Sequence, residues 1–128
     1  MKVLLDTHTL VWAMVNPAQL SRQAATTIAN PANIIFVSAA SAWEIATKVR
    51  IGKMHESEAL EARVPDAMDN AGFIMLSIDV EIALRAARLT ADHRDPFDRV
   101  LAAHALALDI PVISIDAKLD QFGVRRIW

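Results

Sequence analysis

Four acidic residues are the side chains of this sequence whose types and spacing best suit catalysis: Asp6, Glu44, Asp98 and Asp116. Asp6 and Asp116 each end an apolar, strand-like run, whereas Glu44 and Asp98 lie near the starts of helix-like segments. In an open parallel sheet, ligands bind beyond the carboxyl ends of the strands, where the following helices also begin. Acids that are far apart in sequence can meet there, and we expect these four to share one site.

The chemistry expected of such a cluster is the binding of a hard divalent cation. Carboxylates within about 4–6 Å of one another raise each other's pKa unless a cation neutralises them. The chain has no cysteine, and its four histidines are dispersed, which is poor evidence for a zinc site. Oxygen donors suit Mg²⁺ or Mn²⁺ better than zinc. We therefore predict a Mg²⁺ site, with Mn²⁺ as a substitute.

Helix capping is the competing interpretation for the acids on helices. The pattern Ser41-x-x-Glu44 fits a capping box, in which the glutamate bonds back to the cap residue. Asp95 fits the N-cap of a helix that begins at Pro96, and Asp98 then falls at the third helical position. At this stage each of these acids keeps both a structural and a chemical interpretation.

Capping also competes for the acids that follow strand-like runs. Asp79 immediately precedes a helix, and we interpret it as an N-cap. Asp116 fits equally well as a ligand or as the cap of the short helix after it. Asp6 has the weakest structural explanation, because Thr7 or Thr9 can cap the helix that follows.

An α/β fold is predicted by the alternation of apolar runs with amphipathic segments along a single domain, residues 1–128. Continuous apolar runs are typical of parallel strands covered on both faces, so we expect a three-layer domain with a mostly parallel sheet of about five strands. The predicted strands are residues 2–5, 34–37, 73–78, 111–115 and 124–127. The predicted helices are residues 9–15, 21–29, 41–51, about 56–71, 80–91 and 96–108, with a short turn of helix at 117–121.

Composition excludes a membrane span and does not indicate a surface that binds nucleic acid. No apolar run approaches the roughly 20 residues that cross a bilayer, and Asp6 interrupts the apolar N-terminal run, so we expect a cytoplasmic protein. The net charge of −2 is not the basic excess of many nucleic-acid-binding domains. Local basic clusters can still steer a polyanion, although ordinary solvated faces explain them as well. The candidates for contacts with RNA phosphates are Lys48, Lys53, Arg94 and Arg99.

Several motifs, in order, resemble the VapC family of PIN-domain toxins from type II toxin–antitoxin systems. They are Leu4-Leu5-Asp6-Thr7-His8, Ser41-Ala42-Trp43-Glu44-Ile45 with Lys48 and Gly52-Lys53, Asp95-Pro96-Phe97-Asp98-Arg99 followed by Leu101-Ala102-Ala103, and Ile113-Ser114-Ile115-Asp116. Each motif is weak alone, but their order and spacing cover essentially the whole chain. His104 stands where the family often has glutamine.

The resemblance implies a Mg²⁺-dependent endoribonuclease that arrests translation and is inhibited by a cognate, VapB-like antitoxin. It implies a homodimer, a hetero-oligomer with the antitoxin, and an RNA substrate. The family's invariant acids fall on Asp6, Glu44 and Asp98, and a less regular fourth acid on Asp116. Asp98 is chosen over Asp95 because it lies three residues before the Leu-Ala-Ala segment. We expect residues 9–29 and 41–71 to contact the partner chains.

Two other functions compete with this hypothesis. A phosphatase of the haloacid-dehalogenase kind also uses an aspartate at a strand end, but it needs a second aspartate two residues later, where this chain has His8. A catalytically inactive PIN-like module that binds RNA or protein is the second alternative, because a fold does not dictate a function. The presence of all four acids argues against it.

Overall fold

A parallel sheet of five strands forms the centre of the computed structural model, which describes residues 1–128. The strands are β1 (Lys2–Leu5), β2 (Ile34–Ser38), β3 (Ile74–Leu76), β4 (Val112–Ile113) and β5 (Arg126–Ile127). Their spatial order is β3-β2-β1-β4-β5, and all four pairings are parallel. This arrangement confirms the predicted sheet and places β1 at its centre.

Helices connect the strands and cover both faces of the sheet. They are α1 (Thr7–Val15), α2 (Arg22–Ala29), α3 (Ala39–Arg50), α4 (Glu58–Glu61), α5 (Val64–Ala71), α6 (Val80–Arg88) and α7 (Pro96–Leu108). Short 3₁₀ helices lie at Pro17–Gln19, His55–Ser57 and Ala117–Phe122. No helix is long and apolar enough to cross a membrane.

Alternating side chains of β1 show how the three layers are held together. Val3 and Leu5 are fully buried in one apolar cluster, together with residues of α1, α2, α3, α4 and α5. Leu4 is fully buried in a second cluster with residues of α7 and of the 3₁₀ helix before β5. Because successive side chains of a strand point to opposite faces, β1 serves both clusters at once. The predicted three-layer α/β architecture is therefore confirmed.

Small side chains let α3 and α7 approach each other closely. Ala40 of α3 packs in a separate small cluster with Val100 and Ala103 of α7 and Ala86 of α6. The helix α3 begins directly after β2, so its first turns lie at the carboxyl edge of the sheet. This packing brings the N-terminal turns of α3 and α7 together beside the ends of β1 and β4.

The structure corrects several predicted boundaries. The segment predicted as helices at about 56–71 is divided into a 3₁₀ turn, α4 and α5, and Pro65 occupies the first turn of α5, where its missing N–H costs nothing. The predicted strand 111–115 pairs only at Val112–Ile113, and Ile115 is 53% exposed. Helix α3 begins at Ala39 rather than at residue 41, which changes the interpretation of Glu44 below.

Candidate active site

All four predicted acids line one cleft of about 180 Å³ at the carboxyl edge of the sheet. The cleft lies where β1, β4, α3 and α7 meet, so the topology brings together residues that are up to 110 positions apart. Its lining residues are Asp6, Thr7, His8, Glu44, Lys48, Asp95, Asp98, Ile115 and Asp116. The convergence expected from the sequence is thus present in the fold.

Asp6 is buried at the floor of the cleft and held by hydrogen bonds. Its side chain caps α1 by accepting from the Thr9 backbone N–H at 2.7 Å, so the expectation that a threonine caps this helix was wrong. A second carboxylate oxygen accepts from the Ser114 hydroxyl. Burial raises the pKa of Asp6, and the hydrogen bond from Ser114 opposes that rise. The carboxylate is therefore fixed in position and destabilised as an anion.

Glu44 is not part of a capping box. The N-cap of α3 is Ser38, whose hydroxyl accepts from the Ala40 N–H at 3.0 Å, whereas the Ser41 hydroxyl is buried and accepts from the Thr7 hydroxyl at 3.0 Å. Glu44 thus lies in the second turn, is only 4% exposed, and forms an ion pair with Lys48 one turn later. The capping role that the Ser41-x-x-Glu44 pattern suggested for Glu44 is therefore excluded, and Glu44 lines the cleft.

Asp98 is paired with a histidine that sequence reasoning did not assign. The Nε2 atom of His93 lies 2.8 Å from a carboxylate oxygen of Asp98. Burial raises the pKa of Asp98 to about 6, the hydrogen bond from His93 lowers it, and the negative charges of Asp95 and Glu44 raise it further. Both residues belong to the motif His93-x-Asp95-Pro96-Phe97-Asp98, but only the fold shows that the loop turns back and brings the His93 ring to the Asp98 carboxylate.

The predicted capping roles of Asp95 and Asp79 are confirmed. Asp95 accepts from the backbone N–H groups of Phe97 at 2.9 Å and Asp98 at 3.4 Å, at the start of α7. Asp79 accepts from the Ile82 N–H at 2.8 Å at the start of α6 and lies outside the cleft. Asp95 does line the cleft, where its charge acts on Asp98 in addition to capping the helix.

Asp116 is half-buried, and Ser114 links it to Asp6. Its side chain accepts from the Lys118 N–H at 2.9 Å and caps the short 3₁₀ helix that follows. Its own backbone N–H donates to the Ser114 hydroxyl at 2.9 Å, while that hydroxyl donates to Asp6. The capping interpretation of Asp116 is thus confirmed, and because this cap also lines the cleft, its role as a ligand stays a prediction. Sequence reasoning missed Ser114, because a serine at a strand end carries no distinctive pattern.

The four basic residues predicted to contact RNA phosphates lie in different environments. Lys48 lines the cleft, whereas Lys53 lies past the end of α3 and does not line it. Arg94 is exposed in the loop before α7 and has no ion-pair or hydrogen-bond partner. Arg99 donates its guanidinium N–H groups to backbone carbonyl oxygens, so the prediction that it contacts RNA phosphates is wrong.

Arg99 is an internal clamp rather than a surface cation. Its guanidinium donates to the backbone carbonyl oxygens of five residues at the end of α6 and in the loop after it: Ala86, Ala87, Leu89, Ala91 and His93. A guanidinium has five N–H donors in a planar fork, so this network uses its whole donor capacity. Arg99 therefore shapes the loop that carries His93, and no N–H remains for a phosphate.

His104, which the sequence left without a role, lies away from the acids. It is buried on α7, and its Nε2 lies 3.1 Å from the Ser77 carbonyl oxygen. Burial lowers its pKa, which favours the neutral imidazole. It borders the largest cavity of the protein, about 700 Å³ between α6 and α7, which contains none of the predicted site residues. The size of a cavity is thus no guide to the chemistry here.

The donor chemistry of the cleft fits a hard divalent cation. Carboxylate oxygens from Asp6, Glu44, Asp98 and Asp116 face a common space, and burial raises the pKa of two of them, which a bound cation would reverse. In the conformation described, no three acidic or imidazole side chains are close enough to hold one ion. Lys48 and His93 instead pair with Glu44 and Asp98. A cation would take over part of their neutralising role.

The pKa of Asp98 predicts how stability changes with pH. Because that pKa is raised from 3.8 to about 6, the folded chain binds this proton more tightly than the unfolded chain. The resulting stabilisation is complete below pH 3.8 and is lost as the pH rises through about 6. We therefore expect the metal-free wild type to lose thermal stability relative to Asp98→Asn across this interval. A melting-temperature difference that stays constant across it would contradict the assignment.

Comparisons with known proteins agree with this architecture. The family model described as PIN domain matches residues 3–124. Ribonuclease VapC16 of Mycobacterium tuberculosis is 49% identical over 47 residues, which are 37% of this chain and 33% of that protein. The match therefore spans about a third of the length of this curated relative.

Solved structures share the fold at low sequence identity. VapBC2 from Rickettsia felis, bound to a DNA fragment from its promoter, superimposes with a TM-score of 0.67 at 15% identity over 99% of this chain and 98% of that one. FitAcB from Neisseria gonorrhoeae gives 0.64 at 17% identity over 98% and 96% of the two chains. VapBC-1 from nontypeable Haemophilus influenzae gives 0.61 at 18% identity over 99% and 97%. With the family model matched over residues 3–124, the chain belongs to the PIN domain family, and its resemblance to the VapC toxins is confirmed.

Proposed function

We propose that the protein is a Mg²⁺-dependent endoribonuclease toxin that hydrolyses RNA phosphodiester bonds in the cytoplasm and is inhibited by a cognate antitoxin. The observation that carries the proposal is the convergence of four carboxylates in one cleft at the carboxyl edge of the sheet. Phosphodiester hydrolysis needs neutralisation of the phosphate charge, an activated water and stabilisation of the leaving oxygen, and bound divalent metal supplies these functions.

The residues of the cleft would bind the metal or hold its ligands in position. Asp6 and Asp98 would hold the metal directly, with Glu44 and Asp116 either direct or through water, because Mg²⁺ gives up its hydration shell reluctantly. The hydrogen bonds from Thr9 and Ser114 fix the Asp6 carboxylate, and His93 orients that of Asp98. Fixed carboxylates need no rearrangement during the reaction, which is the main source of electrostatic catalysis.

Cations beside the cleft would hold the RNA backbone. Lys48 forms an ion pair with Glu44 on the wall of the cleft, and its side chain is 29% exposed, so the ammonium can turn to a phosphate. Arg94 is exposed and unpaired in the loop next to His93. Lys53 lies past the end of α3 and outside the cleft, so it would meet the RNA at a distance from the reacting phosphate.

A groove beside α1 and α5 supports the proposed antitoxin contact. It has a volume of about 510 Å³, and its lining includes the apolar residues Met14, Leu60 and Ala67 and the charged residues Arg63 and Glu56. An amphipathic segment can lay its apolar side chains in such a groove. We propose that the C-terminal segment of a VapB-like antitoxin lies here and places a basic side chain near the acids, where it would compete with the metal.

The homodimer that we also propose has a second candidate surface outside residues 9–29 and 41–71. Apolar side chains are exposed along β3 and α6, among them Ile74 (46%), Val80 (74%) and Leu84 (44%). Helix α6 carries Glu81 near its start and Arg88 at its end, so two antiparallel copies would pair opposite charges. The mass of the chain alone, measured by light scattering, tests this assembly.

RNA cleavage with and without antitoxin is the test of the proposed function. We expect cleavage of total RNA in Mg²⁺ or Mn²⁺, loss of cleavage in EDTA, and inhibition by full-length antitoxin. An antitoxin without its C-terminal segment should bind but inhibit less; equal inhibition by both would rule out the groove mechanism. If the chain binds Mn²⁺ and RNA but cuts nothing, the catalytically inactive module is the better description.

A further inference from the structure

Trp43 is a large aromatic side chain left exposed beside the acidic cleft. It is 54% exposed, whereas the indoles of Trp12 and Trp128 are half-buried and pack against each other with ring centroids 5.9 Å apart. A single exposed apolar side chain needs no explanation by itself. What distinguishes Trp43 is its fixed contact and its location.

The contact of Trp43 is edge-on with Phe97. The two ring centroids are 4.7 Å apart, and the ring planes make an angle of 78°. Phe97 is itself anchored, because its backbone N–H donates to the Asp95 cap at 2.9 Å. A perpendicular contact covers at most one face of the indole, so a flat surface of Trp43 stays free while its position is fixed.

The location of the aromatic pair follows from its neighbours in sequence. Trp43 precedes Glu44 in the second turn of α3, and Phe97 precedes Asp98 in the first turn of α7. Glu44 and Asp98 both line the cleft, and packing of α3 against α7 holds the two turns together. The pair therefore lies next to two residues of the cleft wall, just outside the cleft itself.

We propose that Trp43 is a stacking platform for a nucleobase of single-stranded RNA, next to the phosphate held in the cleft, with Phe97 supporting it from the side. This inference rests on the proposed ribonuclease function and assigns a base-binding subsite to the same site. Every nucleobase has a flat π-face, so stacking on an aromatic side chain holds a strand without requiring one sequence.

The surroundings of Trp43 favour a base over a protein partner. The neighbours one turn further along α3 are Ala46, which is exposed, and Thr47, which is half-buried, and both offer little apolar area. The core of a protein interface needs a contiguous apolar patch, whereas a base needs one flat face with a phosphate-binding cation nearby. Lys48, one turn beyond Glu44, supplies that cation.

The binding of two single-stranded RNAs, one with its bases and one without, tests the proposal. In an Asp6→Asn background, which prevents cleavage, the affinity for a short single-stranded RNA is compared with that for an abasic strand of the same length. We expect Trp43→Ala to weaken binding of the base-containing strand by about 10- to 100-fold, the range that stacking of one base contributes, and to leave the abasic strand unchanged. Trp43→Phe should retain part of the affinity. Ile51→Ala, at the other end of α3 and 49% exposed, is the matched control and should change neither affinity.

The other outcomes separate this inference from the proposed function. If Trp43→Ala weakened the binding of both strands equally, or changed the binding of neither, the stacking role would be overturned. Unchanged RNA binding together with loss of the homodimer or of antitoxin binding would assign Trp43 to a protein interface and also overturn it. In parallel, wild-type cleavage of RNA is measured. If the wild type cleaves RNA while Trp43→Ala binds both strands normally, only the subsite is wrong. If the wild type neither binds nor cleaves RNA, both proposals fail.

Discussion

Asp98→Asn is expected to lower the rate of RNA cleavage by roughly two orders of magnitude or more, while the protein becomes no less stable. The substitution removes a carboxylate that we propose as a metal ligand, and even residues that only support metal ligands typically cost about 10- to 100-fold when they are replaced. The substitution also removes an anion whose pKa is raised to about 6 by burial and by the neighbouring carboxylates. Cleavage kinetics and the metal-free melting temperature measure the two effects.

Asp95→Ala is the matched control for this prediction, because the two aspartates lie three residues apart in the same cleft. Loss of the cap at the start of α7 should cost about 1 kcal/mol of stability and leave most of the activity. If Asp95→Ala abolished cleavage and Asp98→Asn only altered stability, the ligand would have been assigned to the wrong aspartate.

Arg99→Met is expected to destabilise the fold by about 3–5 kcal/mol and to lower activity as a secondary effect. Methionine keeps much of the apolar stem but leaves five backbone carbonyl oxygens without their donor. Arg99→Lys should recover only part of this loss, because an ammonium has three donors and no planar fork. Urea unfolding measures the free energies.

Arg94→Met is the control for the clamp, since Arg94 is an exposed, unpaired arginine in the loop that Arg99 holds. The free energy of unfolding of the Arg94→Met variant should stay within about 0.5 kcal/mol of that of the wild type. Hydrogen exchange of residues 89–94 should increase in Arg99→Met and not in Arg94→Met. Unchanged exchange in Arg99→Met would show that the loop does not depend on the clamp.

The elements predicted best were those with both a clear pattern and a clear boundary signal. The strand at residues 2–5 and the helix at residues 96–108 were predicted with the observed bounds; the helix has a cap at Asp95, a proline at its first position and a long apolar stripe. The predicted start of the helix at 41–51 was wrong, because two serines, Ser38 and Ser41, each offer an N-cap. Only the folded structure shows that the Ser41 hydroxyl accepts a hydrogen bond from Thr7 and does not cap the helix.

The four acids were predictable as a group because strand ends and helix starts meet at one edge of a parallel sheet. Their supporting partners were not, since those contacts depend on side-chain positions that no local pattern specifies. Ser114 bonds to Asp6 across 108 positions of sequence, and Arg99 bonds to carbonyl groups that lie up to 13 positions earlier. An arginine beside an acidic motif suggests a phosphate contact, and only its burial among carbonyl groups shows otherwise.

The central position of β1 also determines when the cleft can form during synthesis. Leu4 and Leu5 pair with Val112 and Ile113, so one wall of the cleft joins a segment of this domain to another that is synthesised more than 100 residues later. Until Ser114 and Asp116 have left the ribosome, Asp6 lacks both the hydroxyl that fixes it and the nearby acid. Contacts of such long sequence separation close late in folding, because the loop-closure entropy must first be overcome. A nascent chain therefore has no complete cleft, and any RNA-cleaving capacity arises only after nearly all of this domain has emerged.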